Sequence, residues 1–218
     1  MSNNRVRKLL LNPGPGTTSE RVKQALLVSD ICPRESEFGS LMKDICEGLL
    51  QLGQAQSSHE VALFAASGTG VIEAMLGSAI SQEDHVLIIT NGAYGFRMKD
   101  ICTSLQLSHD TFGSFGVFPD LDILEQKLKN GRYTHLAMVH HETSTGMLNP
   151  LEAVGTLTKQ YGITYLVDAM SSFGAYPMKL EDMGVDYIAA SSNKCIQGMA
   201  GLSFVLFNRR ELSKLEES

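Results

Sequence analysis

The stretch 151–172, LEAVGTLTKQYGITYLVDAMSS, joins an amphipathic run to a short apolar run that ends in polar residues. The first part has the apolar spacing of a helix, and residues 164–167 have the length and near-continuous apolar character of a buried strand. This alternation recurs along the chain. It is typical of an α/β protein with a mainly parallel sheet, whose crossover helices cover both faces.

Seven strands and several helices follow from the pattern. The strands are predicted at 61–65, 86–89, near Thr111, and at 135–139, 164–167, 187–190 and 202–206. The helices are predicted at 38–52, 70–80, 95–105, 121–128 and 151–161. Pro119 with Asp120, and Pro150, indicate helix starts. Since no repeat or linker interrupts the chain, we expect one domain over residues 1–218.

Composition excludes several classes of protein. The 218 residues are 43% apolar and 19% charged, as in a globular protein. The net charge of −6 argues against nucleic-acid binding, which requires excess Lys and Arg. The apolar runs are too short for a membrane span or a signal peptide, and the four cysteines have neither CxxC nor zinc spacing. We therefore expect a reduced, cytoplasmic protein with no metal site and no membrane partner.

Polar clusters follow five of the predicted strands. The carboxyl ends of parallel strands meet at one edge of a sheet, where ligands bind. The clusters are SGTG at 67–70, NGAYG at 91–95, HHETSTG at 140–146, DAMSS at 168–172 and SSNKC at 191–195. We expect them to converge on one site.

The residue types in these clusters suit a phosphorylated, ring-bearing cofactor. The turn at 67–70 opens a helix whose amides and dipole favour a phosphate, although a plain N-cap also explains it. Asp168 either caps a helix or pairs with a protonated heterocycle, and Lys194, if desolvated, can attack a carbonyl. With Tyr94 as a stacking face and Thr143 as a partner for a ring hydroxyl, these are the groups that pyridoxal phosphate requires.

Taken in order, the motifs resemble those of class V aminotransferases, which are fold type I pyridoxal phosphate enzymes, and most closely the 2-aminoethylphosphonate:pyruvate transaminases. The strings that carry the resemblance are LLNPGP at 10–15, SGTG at 67–70, NGAYG at 91–95, HHETSTG at 140–146, VDAMSS at 167–172 and SNKCIQG at 192–198.

The resemblance implies roles for individual residues. Lys194 would form the Schiff base with the cofactor and then shuttle a proton, and Asp168 would pair with the pyridinium nitrogen. Tyr94 would stack on one face of the ring and Met170 would pack under the other, while Thr143 would contact the ring oxygen. The residues implied to hold the phosphate are Ser67, Gly68, Thr69 and Asn193. His140 and Glu142 are candidates for orienting the cofactor loop.

The implied reaction moves the amino group of 2-aminoethylphosphonate to pyruvate, giving phosphonoacetaldehyde and alanine, in a homodimeric enzyme of phosphonate degradation. Alanine:glyoxylate and serine:pyruvate transaminases share nearly all the cofactor motifs and stay open as alternatives. Cysteine desulfurases of this class usually have His at the positions of Asn193 and Tyr94, so these two residues argue against that activity. A dinucleotide-binding dehydrogenase would need a third glycine where Glu73 stands, and it would leave Lys194 unexplained.

The chain is shorter than the resemblance implies. It ends at Ser218, soon after the last predicted strand, so we expect a C-terminally truncated chain without the small domain and its substrate-binding arginine. Residues 1–18 are expected to form an arm toward the substrate or the small domain. A non-catalytic fragment that binds pyridoxal phosphate is a third hypothesis.

Overall fold

A seven-stranded sheet forms the centre of the described part of the chain, residues 9–213 of the computed structural model. The strands, in chain order, are β1 (His59–Phe64), β2 (Val86–Ile89), β3 (His109–Phe112), β4 (His135–Val139), β5 (His141–Glu142), β6 (Met147–Leu148), β7 (Thr164–Asp168), β8 (Tyr187–Ser191) and β9 (Ser203–Asn208). The order across the sheet is β1-β9-β8-β7-β4-β2-β3, and β5 and β6 pair separately as a hairpin. Strands β8, β7, β4, β2 and β3 are parallel, whereas β9 is antiparallel to both β8 and β1.

Helices cover both faces of this sheet. In chain order, the helices are α1 (Glu20–Gln24), α2 (Ser36–Leu52), α3 (Gly68–Ala79), α4 (Ala93–Ser104), α5 (Leu121–Lys129), α6 (Leu151–Tyr161) and α7 (Leu180–Met183), followed by a 3₁₀ turn at Arg209–Glu211; all but α1 pack on the sheet. One core packs α2, α5, α6 and α7 against side chains such as Leu136 and Val167, and the other packs α3 and α4 against Ile88 and Leu166. Neighbouring residues of one strand thus enter opposite cores, as strand geometry requires.

The predicted architecture is confirmed. Each predicted strand is present, and the bounds of β2 and β4 match the prediction. The five predicted helices correspond to α2 through α6, and Asp120 caps α5 by accepting hydrogen bonds from the amides of Asp122 (3.0 Å) and Ile123 (3.1 Å). Helices α1 and α7 and the β5–β6 hairpin were not predicted. All of these elements are short, and α1 buries no residue, so they leave no recognisable apolar periodicity in the sequence.

The strand register brings the predicted ligand-binding edge together. Asp168 at the end of β7 pairs with Val139 at the end of β4. Ser203, the first residue of β9, pairs with both Ser191 and Phe64, the last residues of β8 and β1. Because β9 is antiparallel to its neighbours, the end of β1 reaches the same edge as the ends of the parallel strands.

Two sequence predictions fall partly outside the described residues. The residues outside are 1–8 of the predicted arm and 214–218 of the predicted single domain. Within residues 9–213, no helix is both long enough and apolar enough to cross a bilayer.

Candidate active site

A cavity of about 280 Å³ opens at the carboxyl edge of the sheet. It lies at the ends of β1, β4, β7 and β8 and beside the first turns of α3 and α4. All nine residues that the sequence predicted for a cofactor site line it: Ser67, Gly68, Thr69, Tyr94, Thr143, Asp168, Met170, Asn193 and Lys194. The structure therefore brings the predicted set together, and the role of each residue stays a prediction.

The turn before α3 forms one wall of the cavity. Ser67 has an extended backbone and caps the helix, since its Oγ accepts a hydrogen bond of 3.2 Å from the amide of Gly70. The amides of a first helical turn have no carbonyl partner within the helix, and they carry the positive end of its dipole. A Cβ at Gly68 would lie 3.0 Å from Sδ of Met170. The wall therefore combines hydroxyls, open amides and a backbone that can be approached closely.

Asp168 supplies the buried anion of the site. Asp168 is 4% exposed, and its Oδ1 accepts a hydrogen bond of 2.9 Å from the amide of Met170. Burial raises its pKa to about 6; Glu142 adds to this effect, while Arg97 and Lys194 oppose it. Among the described residues, this carboxylate receives no second hydrogen bond. It is therefore suited to a cationic N–H donor that enters the cavity.

Lys194 lies in a turn at the start of the segment that connects β8 to β9. The amide of Gln197 donates to the carbonyl of Lys194 (3.0 Å), and the amide of Gly198 donates to the carbonyl of Ser192 (2.7 Å). The Lys194 Nζ donates to the carbonyl of Gly14 at 3.3 Å. The lysine is thus held at the cavity by its turn and by a neutral acceptor.

Tyr94 and Thr143 form the remaining polar walls. Tyr94 is half-buried on the first turn of α4, and the Arg97 guanidinium lies 4.9 Å from its ring centroid. The same guanidinium donates to Oγ1 of Thr69 at 3.2 Å, which joins α4 to the first turn of α3. Oγ1 of Thr143 lies 2.6 Å from Oγ of Ser171, so these hydroxyls share a hydrogen bond.

Some cavity residues were not identified from the sequence. Arg97 follows Tyr94 by three residues on a helix, a spacing that places both on one face and could have revealed it. His141 lines the cavity, and its buried Nδ1 has no hydrogen-bond partner within residues 9–213. Next to it, His140 is buried beside Oγ of Ser172 (3.0 Å from Nδ1), and burial lowers its pKa to about 4.

A family model described as aminotransferase class V matches residues 22–218. The chain belongs to the class V aminotransferases. The 2-aminoethylphosphonate–pyruvate transaminase of Salmonella dublin is 42% identical over 208 residues, which cover 94% of this chain and 56% of that protein. The bifunctional phosphonoacetaldehyde hydrolase/aminoethylphosphonate transaminase of Clostridioides difficile is 43% identical over 210 residues, which cover 94% of this chain and 33% of that protein. The chain thus spans about half the length of the curated relatives it matches, or less.

Solved structures agree on the fold. Alanine–glyoxylate aminotransferase from Nostoc sp. superposes with a TM-score of 0.91 at 31% identity, covering 100% of this chain and 58% of that one. Ureidoglycine–glyoxylate aminotransferase from Bacillus subtilis gives a TM-score of 0.89 at 25% identity, covering 94% of this chain and 53% of that one. In both structures, the part that resembles this chain is a little over half of the enzyme.

Proposed function

We propose that this chain is the cofactor-binding part of a pyridoxal phosphate-dependent transaminase that acts on 2-aminoethylphosphonate and pyruvate. The observation that carries the proposal is the convergence of a buried Asp, a strand-end Lys and a helix-opening hydroxyl turn on one cavity. Membership of the class V family supports the cofactor, and the names of the two relatives above support the amino donor.

The residues of the cavity fit pyridoxal phosphate. The hydroxyls of Ser67 and Thr69 and the open amides of the α3 turn offer donors to a phosphate. Asn193 lines the same cavity, and its side-chain Oδ1 accepts a hydrogen bond of 2.9 Å from Oγ of Ser191. The unpartnered Nδ1 of His141 is a further polar group without a protein partner among residues 9–213. The donor set thus suits a phosphorylated polar ring better than an apolar ligand.

Asp168 would hold a proton at the ring nitrogen of the cofactor. When bound, pyridoxal phosphate supplies a carbonyl carbon that reacts with amines and a ring that withdraws electrons. A buried carboxylate keeps the ring nitrogen protonated, because the ion pair stabilises both charges away from water. The Tyr94 ring and the Met170 side chain would enclose the ring faces and exclude water.

Lys194 would be the proton carrier of the reaction. Its Nζ would provide the amine for covalent attachment, and it would carry the proton released from the amino-bearing carbon of the substrate to the former carbonyl carbon of the cofactor. Thr143 would orient the ring through its hydroxyl, which is already aligned by Ser171. Both roles follow from the resemblance together with the position of these groups at the cavity.

The amino donor is the part of the proposal that depends on the relatives. The relatives named for 2-aminoethylphosphonate are 42% and 43% identical to this chain, compared with 31% for the alanine–glyoxylate enzyme. We therefore favour 2-aminoethylphosphonate and keep alanine and serine as the competing donors. A homodimer and a cytoplasmic location are parts of the same proposal, and they rest on the family resemblance.

An absorbance titration with pyridoxal phosphate tests the proposal. The purified chain should develop a yellow band, and borohydride should fix the cofactor to the peptide that contains Lys194, as measured by mass spectrometry. Lys194→Ala should bind the cofactor without fixation, while the exposed control Lys159→Ala should behave as wild type. Addition of 2-aminoethylphosphonate should bleach the band faster than alanine or serine does.

The contrary outcomes separate the parts of the proposal. Absence of a band in the wild type would overturn the cofactor assignment. A preference for alanine or serine would overturn the amino donor. A stable band that no donor changes would overturn transamination by this chain alone.

A further inference from the structure

Glu142 is a buried carboxylate that caps a helix from outside that helix. It is 0% exposed. Its Oε2 accepts hydrogen bonds from the amides of Tyr94 (3.1 Å) and Gly95 (3.2 Å) at the start of α4. Its Oε1 accepts from both the amide (3.2 Å) and the hydroxyl (2.7 Å) of Ser144. That hydroxyl in turn accepts from the amide of Ala93 (2.9 Å), so the first three amides of α4 all end on this loop.

The packing around Glu142 leaves no room for another cap. The N-cap residue of α4 is Gly92, which has no side chain to accept a hydrogen bond. A Cβ at this position would lie 2.0 Å from Cγ of Glu142. A Cβ at Gly95 would lie 2.5 Å from the carbonyl oxygen of Ile89. The helix start thus packs against both the sheet and the carboxylate, and the amides of Tyr94 and Gly95 depend on Glu142 for their acceptor.

Only a carboxylate satisfies this arrangement. All four groups that meet the Glu142 oxygens are donors, so an amide in its place would direct its NH₂ group at another donor. An apolar residue would leave the α4 amides buried without partners. The negative charge also lies at the positive end of a 12-residue helix, which stabilises the anion.

We propose that Glu142 is a positioning residue that fixes Tyr94 and Thr143 relative to each other, and so sets the shape of the cofactor cavity. Thr143 is its neighbour in the chain, and Tyr94 is bound through its amide. The two walls of the cavity belong to separate elements, the β5–β6 hairpin and helix α4, and the Glu142 carboxylate joins them. This inference rests on the proposed function, in which Tyr94 and Thr143 contact the ring.

The cap of α4 differs from the caps of α3 and α5. Helices α3 and α5 are capped by their own N-cap side chains, Ser67 and Asp120. Helix α4 instead takes its cap from a loop that lines the cavity. A mutation that loosens this cap therefore moves a cavity wall, whereas loss of the Asp120 cap affects α5 alone.

The test compares Glu142→Gln with Asp120→Ala, a matched control that removes a helix-capping carboxylate that does not line the cavity. Amide exchange of Tyr94 and Gly95, measured by NMR on the chain without cofactor, should become roughly tenfold or more faster in Glu142→Gln. Cofactor affinity, measured by absorbance titration, should fall about tenfold. Asp120→Ala should change neither quantity, although it lowers the melting temperature.

Each outcome decides the inference. Unchanged exchange at residues 94 and 95 in Glu142→Gln would overturn it, and so would a loss of affinity no greater than that of Asp120→Ala. If Glu142→Gln does not fold, Ser144→Ala removes the hydroxyl link to Ala93 and should cause a smaller change in the same direction; no change would overturn the inference. If the wild type binds no cofactor, the proposed function fails, while the exchange experiment still decides whether Glu142 holds α4.

Discussion

Replacing Asp168 with Asn should stabilise the chain without cofactor while weakening cofactor binding. Asn has nearly the same shape, and its carbonyl oxygen keeps the hydrogen bond from the Met170 amide. What it removes is the cost of holding a negative charge at a residue that is 4% exposed. The same charge is what the proposed function requires for the protonated ring, so stability and binding should move in opposite directions.

The magnitude follows from the Asp168 pKa. Burial raises it from 3.8 to about 6 in the folded chain, and one pKa unit corresponds to about 1.4 kcal/mol. Above pH 6 the charged carboxylate therefore costs about 3 kcal/mol of folding free energy. The folded chain retains the proton that the unfolded chain loses between pH 3.8 and 6. The advantage of Asn should thus be complete at pH 8, about half as large at pH 5 and absent well below pH 4.

Urea unfolding of the chain without cofactor at pH 8 and pH 5 measures this difference. Asp168→Asn should be more stable than wild type by about 3 kcal/mol at pH 8, which corresponds to a melting temperature about 6–12 °C higher for a chain of this length. The exposed control Asp44→Asn should show no such pH-dependent gain. A variant that is less stable than wild type at pH 8, or whose gain is the same at both pH values, would refute the assignment of Asp168 as a buried, uncompensated anion.

Three further substitutions test the packing and the electrostatics. Gly155→Ala would place a Cβ 1.8 Å from the carbonyl oxygen of Met183, so it should cost about 3 kcal/mol in unfolding experiments, whereas Gly48→Ala, with nothing within 4 Å, should not destabilise. His140→Asn should lose less stability than wild type between pH 7 and pH 4.5. Burial lowers the His140 pKa from 6.5 to about 4, so below pH 6.5 the unfolded wild type takes up a proton that the folded chain does not, and its folding free energy falls by roughly 2–3 kcal/mol. Gly14→Ala, at a φ of +133° and with a Cβ 2.5 Å from Cδ of Lys194, should slow borohydride-fixable attachment of the cofactor, while Gly16→Ala, with open space around its Cβ, should not; equal rates would contradict the contact seen at Lys194.

The sheet could be predicted because its strands are buried on both faces. Runs such as 86–89 and 135–139 are almost continuously apolar and are therefore easy to recognise as strands. In the structure, β2 and β4 have the predicted bounds. The antiparallel direction of β9 was not predicted. A signal for it exists, since parallel strands need a crossover of a dozen or more residues, usually with a helix, and residues 192–202 between β8 and β9 contain none.

The site could be located because ligand-binding residues follow strand ends. This rule needs only the positions of the strands, and it placed Asp168 and Lys194 at the cavity that the structure contains. The partners of Glu142 could not be found in the same way. The amides of Tyr94 and Gly95 lie on α4, which is distant in sequence. The sequence identified Glu142 only as a candidate for orienting the cofactor loop. Which amide donates a hydrogen bond to a buried carboxylate depends on how the helices pack on the sheet, and no local sequence pattern predicts this.

The hydrogen bond between Lys194 and Gly14 shows most clearly what strand patterns leave out. The two residues are 180 positions apart, and the segment that contains Gly14 precedes every strand of the sheet. Its carbonyl carries no net charge, so releasing the Lys194 ammonium costs about 2 kcal/mol, the net value of a hydrogen bond with one charged partner. A direct ion pair with the buried Asp168 would hold the amine far more strongly and would occupy the carboxylate. The carbonyl of Gly14 therefore keeps the lysine at the cavity without fixing it there, and it leaves the Asp168 carboxylate available to a cation that enters.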